Sequence, residues 1–236
     1  MEFSILTYNV HSCVGTDRCI DPKRVADVIA SCDADVIALQ ELDVGRQRTQ
    51  SIDQAEAIAE HLQMRSHFHP AFNLEEELYG DAVLTAHRSE LVRAGPLPSI
   101  GEPRGALWVE IHIADRSVNV VNTHLGLRRR ERIAQANALL GDDWLGNERC
   151  VDKPTAFVGD LNAVPGSGAF ERFSDVLFSA RVQRCPTFPS RFPILQLDHV
   201  MHNGWLQLLS IETVKSGLAR LASDHLPLLA RFSVKA

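Results

Sequence analysis

The sequence predicts an α/β fold in which two packed sheets of mixed strands carry helices on the outside. Three features point there. β-rich and amphipathic helical stretches occur in both halves of the chain, the pattern of sheets covered by helices. Several of the β-rich stretches stop on a polar residue where a core strand would simply end. No linker, low-complexity tract or evident repeat interrupts the 236 residues, so 1–236 is expected to form a single domain with a sizeable core.

In chain order, Phe3 to Val10 reads as a strand running into Asn9-Val10-His11, followed by a loop over Ser12 to Ile20. Asp21 and Pro22 suit the N-cap and first position of a helix, whose apolar face is Val25, Val28, Ile29 and Cys32. Asp35 to Gln40 reads as a buried strand ending at Glu41, and Ala55, Ile58, Ala59 and Leu62 mark a second amphipathic helix. Short strands are expected near Arg65 to Ala71 and Asp81 to Ala86, then a Pro/Gly-punctuated edge stretch at Leu91 to Pro98. From Arg104 to Ala114, Leu107, Val109, Ile111 and Ile113 alternate with Trp108, Glu110 and His112, the pattern of a half-buried antiparallel strand. Val118 to His124 is another strand and Arg128 to Leu145 a helix. Thr155 to Val158 reads as a short buried strand ahead of Gly159-Asp160-Leu161-Asn162-Ala163. A short helix near Ser167 to Phe173 and a Pro-rich loop from Cys185 to Pro193 follow. Strands at Gln196 to Val200, Trp205 to Val214 and Leu226 to Val234 close the chain.

Composition excludes several classes. An apolar fraction of 45% with 23% charged residues is that of an ordinary globular protein. A formal net charge of −6 argues against a broad basic surface coat, though not against a local basic cleft. Five cysteines with no C-x-x-C pair support neither a disulfide framework nor a cysteine zinc site. There is no leader-like start and no apolar run long enough for a transmembrane segment. A soluble, cytoplasmic protein is the expectation.

The chemistry gathers at strand ends. Asp160 and Asn162 stand two residues apart at the end of a strand, where side chains two apart point the same way. Asp160 can hold or activate a water, and Asn162 can donate and accept hydrogen bonds. Asn9, Glu41, His124, Asp198 and the Asp224-His225 pair occupy comparable positions. Each alone is explained by a cap, a turn or an interior histidine; their joint occurrence in this order is not.

The set Tyr8-Asn9-Val10, Gln40-Glu41, Arg104-Gly105-Ala106-Leu107, Thr123-His124-Leu125, Gly159-Asp160-Leu161-Asn162, Leu197-Asp198-His199 and Ser223-Asp224-His225 resembles the endonuclease/exonuclease/phosphatase superfamily, over essentially the whole chain from Phe3 to Val234. The resemblance implies a four-layer α/β sandwich and Mg²⁺-dependent cleavage of a phosphoester P–O bond, with Mn²⁺ as the alternative ion. It assigns Glu41 as main metal ligand, Asn9 to the metal site either as the partner that orients Glu41 or in contact with a metal-bound water, and Asp224 as a ligand direct or through water. It pairs His225 with Asp198. His225 would then act as general base or bind a phosphoryl oxygen, with Asp160 competing for the water-activating role. Asn162 and His124 would hydrogen-bond the phosphoryl oxygens, and His124 would serve as general acid. Mg²⁺ takes one or two carboxylates plus substrate oxygens, so such a set suffices.

Other residues carry two readings each. Arg104 is either an exposed arginine after Pro103 or a bidentate phosphate contact. Asp81 stands where relatives commonly carry Asn and is expected to face solvent. His11 stands where some nucleases have an Asp. The repair endonucleases use a tyrosine near the Arg104 stretch, and none occurs in it here. Arg128 to Arg130 is expected to be a solvated helix face, its sharper reading being attraction of a polyanionic substrate. Residues 187–193 are expected to pack under a sheet edge, the sharper reading being a substrate rim in which Phe188 and Phe192 stack on bases or dip among acyl chains. The substrate is expected to be a small or headgroup-like phosphodiester or phosphomonoester. A DNA or RNA nuclease is the alternative, and a non-catalytic phosphate- or nucleic-acid-binding module is the rival of another class.

Overall fold

Strand β1 (Glu2–Asn9) is buried on both faces, and that sets the layering. Phe3 and Ile5 enter one hydrophobic cluster and Leu6 and Tyr8 another, as period-two alternation requires. In a computed structural model, which describes residues 1–74, 76–179 and 184–235, the strands form two six-stranded sheets. The first runs β11 (Leu206–Thr213), β12 (Leu228–Val234), β1, β2 (Val36–Val44), β4 (Glu77–Thr85), β3 (Arg65–Leu74). The second runs β5 (Arg88–Leu97), β6 (Arg104–Ile113), β7 (Arg116–His124), β8 (Thr155–Asp160), β10 (Asp198–His202), β9 (Phe178–Ser179).

The two sheets have the same plan. In each, the central pair is parallel, β1 with β2 and β7 with β8, and the other pairings are antiparallel. This architectural repeat has no counterpart in the sequence. The inner faces meet in a cluster that includes Ile5, Val36, Val83, Val109, Val120, Val158 and Phe232. Helices α1 (Pro22–Ala30), α2 (Gln54–Leu62) and α6 (Gly217–Ala222) cover the first sheet. Helices α3 (Arg129–Leu139), α4 (Glu148–Val151) and α5 (Gly168–Ser174) cover the second. The result is the expected four-layer arrangement. No helix among the described residues is long and apolar enough to cross a membrane.

Local signals held where chemistry is local. Asp21 caps α1, its carboxylate accepting from the Arg24 amide with Pro22 at the first position. Departures have tertiary causes. β6 is buried along almost its whole length, not half-buried, because the helix layer over it takes Trp108 into a cluster with Val121 and Trp144. The arginine-led helix ends at Leu139, not Leu145; a turn through Gly141 follows, and Asn147 caps α4. β3 and β4 are longer than expected because each lies along the other. β9 and α6 are additions to the expected elements.

A buried polar link crosses the interface between the sheets. Gln40 Nε2 donates to Asn122 Oδ1 at 2.8 Å and to Thr7 Oγ1 at 3.0 Å. Asn122 Nδ2 donates to the Leu39 and Ala82 carbonyls, both at 3.0 Å. The amides of two central strands, one in each sheet, are thereby fixed to each other.

Candidate active site

Both parallel pairs end at the same place. Asn9 is paired in register with Gln40, and His124 with Asp160. β2 does not stop at Glu41 as expected; it continues to Val44 through a bulge in which Gln40 and Glu41 together oppose Asp81. Glu41 takes φ 62° there, and a bulge of this kind re-aims a side chain. In β8, Gly159 at φ 138° lies so close to β7 that an added Cβ would sit 1.9 Å from the Thr123 carbonyl oxygen. Only glycine is accommodated, and the close approach brings Asp160 alongside His124.

The side chains converge. Asn9 Nδ2 donates to Glu41 Oε1 at 2.9 Å and to Asp160 Oδ2 at 3.0 Å, while its Oδ1 accepts the His11 amide. His124 Nε2 lies 3.5 Å from Asp160 Oδ2 and 3.9 Å from Glu41 Oε1. Asn162 Nδ2 lies 3.0 Å from His124 Nε2 and donates to the Leu125 carbonyl. β10 runs antiparallel to β8 with Asp198 opposite Asp160, and Asp198 Oδ2 is 2.8 Å from His225 Nδ1 and accepts from Thr187. His225 Nε2 is 3.7 Å from Asp160 Oδ2. Glu41, Arg104, His124, Asp160, Asn162 and His225 all line one cleft of about 810 Å³.

A family model described as the endonuclease/exonuclease/phosphatase family matches residues 6–225. The chain belongs to that family. A similar relative is the uncharacterized protein YbhP of Escherichia coli strain K12, 26% identical over 97% of this chain and 95% of YbhP. Among solved structures, an endonuclease/exonuclease/phosphatase from Bacteroides vulgatus is 15% identical with a TM-score of 0.82, covering 100% of both chains. A mannosyl-6-phosphatase of Bacteroides thetaiotaomicron is 16% identical with a TM-score of 0.80, covering 98% of this chain and 99% of that one. The human Nocturnin catalytic domain with bound sulfate is 20% identical with a TM-score of 0.75, covering 99% of this chain and 95% of that one. These structural likenesses show the fold. Members of the family are mostly phosphoester hydrolases.

Set against that family, the electrostatics are those of carboxylates held away from water. Burial raises the Glu41 carboxyl, partly offset by the Asn9 hydrogen bond. Burial and then the Asp198 charge raise Asp160 to about 7, against the pull of His225. Burial acts to lower His225, but the Asp198 charge and hydrogen bond override it and push the imidazole up to about 10. His124 goes the other way, well below the usual histidine range, through burial, Arg104 and His225. A guanidinium can only donate, so Arg104, 2.9 Å from His124 Nδ1, calls for an acceptor there, and the Asn162 amide nitrogen, 3.0 Å from Nε2, calls for one on the other side; a neutral imidazole supplies only one.

Arg104 is 6% exposed, clamped between Glu102 and His124, so the exposed-arginine reading fails. Asp81 does not face solvent. It is 4% exposed beneath the site, where it accepts the Glu41 amide and burial raises it to about 7, partly offset by Arg104. A tyrosine does come near Arg104, but from the other sheet: Tyr79 of β4 lines the same cleft and acts on the guanidinium. Arg128 lines the cleft at its exposed rim. Asp224 lies outside the cleft lining, 40% exposed, with Oδ1 3.8 Å from His11 Nδ1, and its charge acts on Glu41. Phe188 packs on His225 at 4.9 Å between ring centroids and lines the cleft. Phe192 is 74% exposed, not tucked under a sheet edge.

The residues can hold a divalent ion. Asp160, Asp198 and His225 offer ligand atoms within 4.8 Å of one another, but the Asp198–His225 contact is a hydrogen-bonded pair that already uses Nδ1 and Oδ2. Glu41 and Asp160 are the better oxygen donors: one half-buried and open to the cleft, the other buried, joined through the Asn9 amide, with histidines as their ion-pair partners among the described residues. A cation there would relieve the burial that raises both carboxyls.

Proposed function

We propose that the protein is a metal-dependent hydrolase that cleaves a phosphodiester or phosphomonoester P–O bond by attack of water. The observation that carries this reading is the convergence at one end of both parallel strand pairs of Glu41, His124, Asp160, Asn162 and His225 on a single cleft, with Asn9 and Asp198 hydrogen-bonded to them from behind. Glu41 and Asp160 would hold Mg²⁺, or Mn²⁺ in its place, with Asp224 contributing from the rim. The bound ion would supply a Lewis acid and a template for phosphate oxygens. Asn9 orients the two carboxylates, because its Oδ1 is already engaged by the His11 amide.

Asp160 is the group we assign to the attacking water, since its Oδ2 lies among Asn9, His124 and His225 at the centre of the site, where a carboxylate can accept a proton from a water held there. His225, kept protonated by Asp198, is then the electrostatic partner of a phosphoryl oxygen, not the base. Asn162 and neutral His124 stand against the developing charge and the leaving oxygen. Arg104 adds positive charge behind His124, whose imidazole burial and this charge hold neutral. The substrate is a small or headgroup-like phosphoester.

The test is a metal-dependent screen of bis-p-nitrophenyl phosphate, inositol phosphates, sphingomyelin, cardiolipin, plasmid DNA and abasic duplex side by side. Turnover with Mg²⁺ or Mn²⁺ that EDTA removes is the expected result. A folded, concentrated sample inert on every member would reject the hydrolase and favour a phosphate-binding module.

A further inference from the structure

We propose that Arg48 forms a second anion-binding position in the cleft, taking a second phosphate of the substrate while the reacting one lies against Glu41, Asp160 and His225; this rests on the phosphoester reading above. Arg48 sits in the 3-10 turn Gln47–Thr49 that follows β2 and lines the same cleft as Glu41 and His124. Its Nε and one terminal nitrogen grip Asp43 at 2.7 and 2.8 Å, and that same terminal nitrogen donates to Ser12 Oγ at 3.1 Å. The guanidinium lies 5.6 Å from the Tyr79 ring centroid. Asp43 is fully buried and also accepts from Thr49 Oγ1. The other terminal nitrogen of Arg48 has no hydrogen-bond partner among the described residues, and the side chain is 52% exposed. The fork is rigid at its base and unspent at its tip, which is the preorganised state of an anion receptor.

A second observation points to the same wall. His11, Ser12 and Cys13 take φ of 49°, 50° and 55° in succession, a left-handed run that non-glycine residues adopt at a cost. The run is pinned from the Arg48 side, by Arg48 on Ser12 Oγ and by Gln54 Nε2 on the Ser12 carbonyl at 2.7 Å. His11 and Ser12 line the cleft beside Arg48. Anchoring the loop would not by itself require this: Arg46 also reaches Asp43 and pairs with Glu77 from the same turn. A substrate carrying one phosphate leaves Arg48 idle, and one carrying two engages it.

The experiment measures competitive inhibition of bis-p-nitrophenyl phosphate hydrolysis by α,ω-alkanediol bisphosphates and by alkyl monophosphates of matched length. A parallel arm compares the dinucleotides pTpT and TpT. The wild type should prefer the ligand with the additional phosphate, and Arg48→Gln should cut that preference, read as the ratio of inhibition constants, by about tenfold or more. Arg48→Lys should restore part of it, since charge returns without the fork. Loss confined to one arm supports the subsite and names its source as a small bisphosphate or a nucleic-acid backbone. Equal weakening of both members in both arms overturns it. If Arg48→Gln fails to fold because Asp43 is left buried and charged, the Asp43→Asn, Arg48→Gln double variant removes both charges and gives the same readout. Calorimetric titration of the wild type and variant with the bisphosphates tests the subsite even where no hydrolysis occurs, so its failure is separable from failure of the hydrolase reading.

Discussion

Gln40 and Asn122, 82 residues apart in the chain, are joined side chain to side chain at 2.8 Å across the interface between the two sheets. Each stands just ahead of a site residue, Gln40 next to Glu41 and Asn122 two before His124. The pair therefore registers one half of the cleft against the other. Asn122→Ala should destabilise the protein by about 2–4 kcal/mol, because it takes the Asn122 donor from the buried Leu39 and Ala82 carbonyls and one acceptor from the Gln40 amide. Urea unfolding measures the loss. The turnover of the folded fraction should fall as well; unchanged turnover would show that the two halves are registered by other contacts.

Metal binding and pH should be linked through the raised carboxylates. Asp160 is raised to about 7 and Glu41 is raised as well, so in the metal-free protein their protonated forms are favoured by the fold. Stability from this source is fully present below the ordinary carboxylate pKa and is lost as pH rises through about 7. A divalent ion reverses that cost by pairing with the ionised forms, and protons compete with it. The gain in Tm on adding Mg²⁺ should therefore be larger near about pH 8 than near about pH 5. Equal gains at both would place the ion away from these groups.

For His225 the sign is that of a base raised by its partner. Its folded value of about 10 lies above the ordinary histidine value of 6.5, so its contribution is complete below about 6.5 and disappears as pH rises through about 10. Asp198→Asn removes the cause. The imidazole should then titrate near or below its ordinary value in an NMR pH series, and kcat should fall by roughly 100-fold or more while Tm at alkaline pH changes little.

Glu41→Gln separates metal binding from folding. The carboxylate is half-buried and raised by its partial removal from water, and Gln keeps its shape without the charge. Turnover should drop at least about 100-fold, while the metal-free Tm stays equal or rises. Calorimetry should show weakened Mg²⁺ binding. A variant that still binds Mg²⁺ as tightly as the wild type would move the metal assignment elsewhere.

Much of the cleft was legible because its residues end strands. Asn9, His124 and Asp160 each terminate a hydrophobic run whose burial is written in its own composition, and the helix at Asp21-Pro22 carries its cap in two adjacent residues. What was not legible depends on contacts between distant segments. Asp81 looked like a surface carboxylate because nothing local says that a bulge in β2 will lie across it. Tyr79 and Arg48 reach the cleft from strand β4 and from a turn after β2, neither carrying a motif. Arg104 follows a proline in a polar stretch, and its burial comes from Glu102, His124 and Tyr79 arriving from three directions.

Gly159 offers the sharpest test of how the fold delivers Asp160. Its φ of 138° is open to glycine and rarely to other residues, and a Cβ there would lie 1.9 Å from the Thr123 carbonyl oxygen of the neighbouring parallel strand. Backbone cannot give way there without parting β7 from β8, the pair that sets His124 beside Asp160. Gly159→Ala should therefore cost about 3 kcal/mol or more, beyond the usual range for a single methyl group. Any folded protein that survives should show His124 and Asp160 out of register and turnover reduced more than the folded fraction. Gly217→Ala is the matched control, because a Cβ at Gly217 meets nothing within 4 Å and its φ is unexceptional. That variant should leave stability within about 0.5 kcal/mol of the wild type or slightly raise it. Similar losses at both glycines would mean that the β7–β8 approach is softer than its geometry indicates.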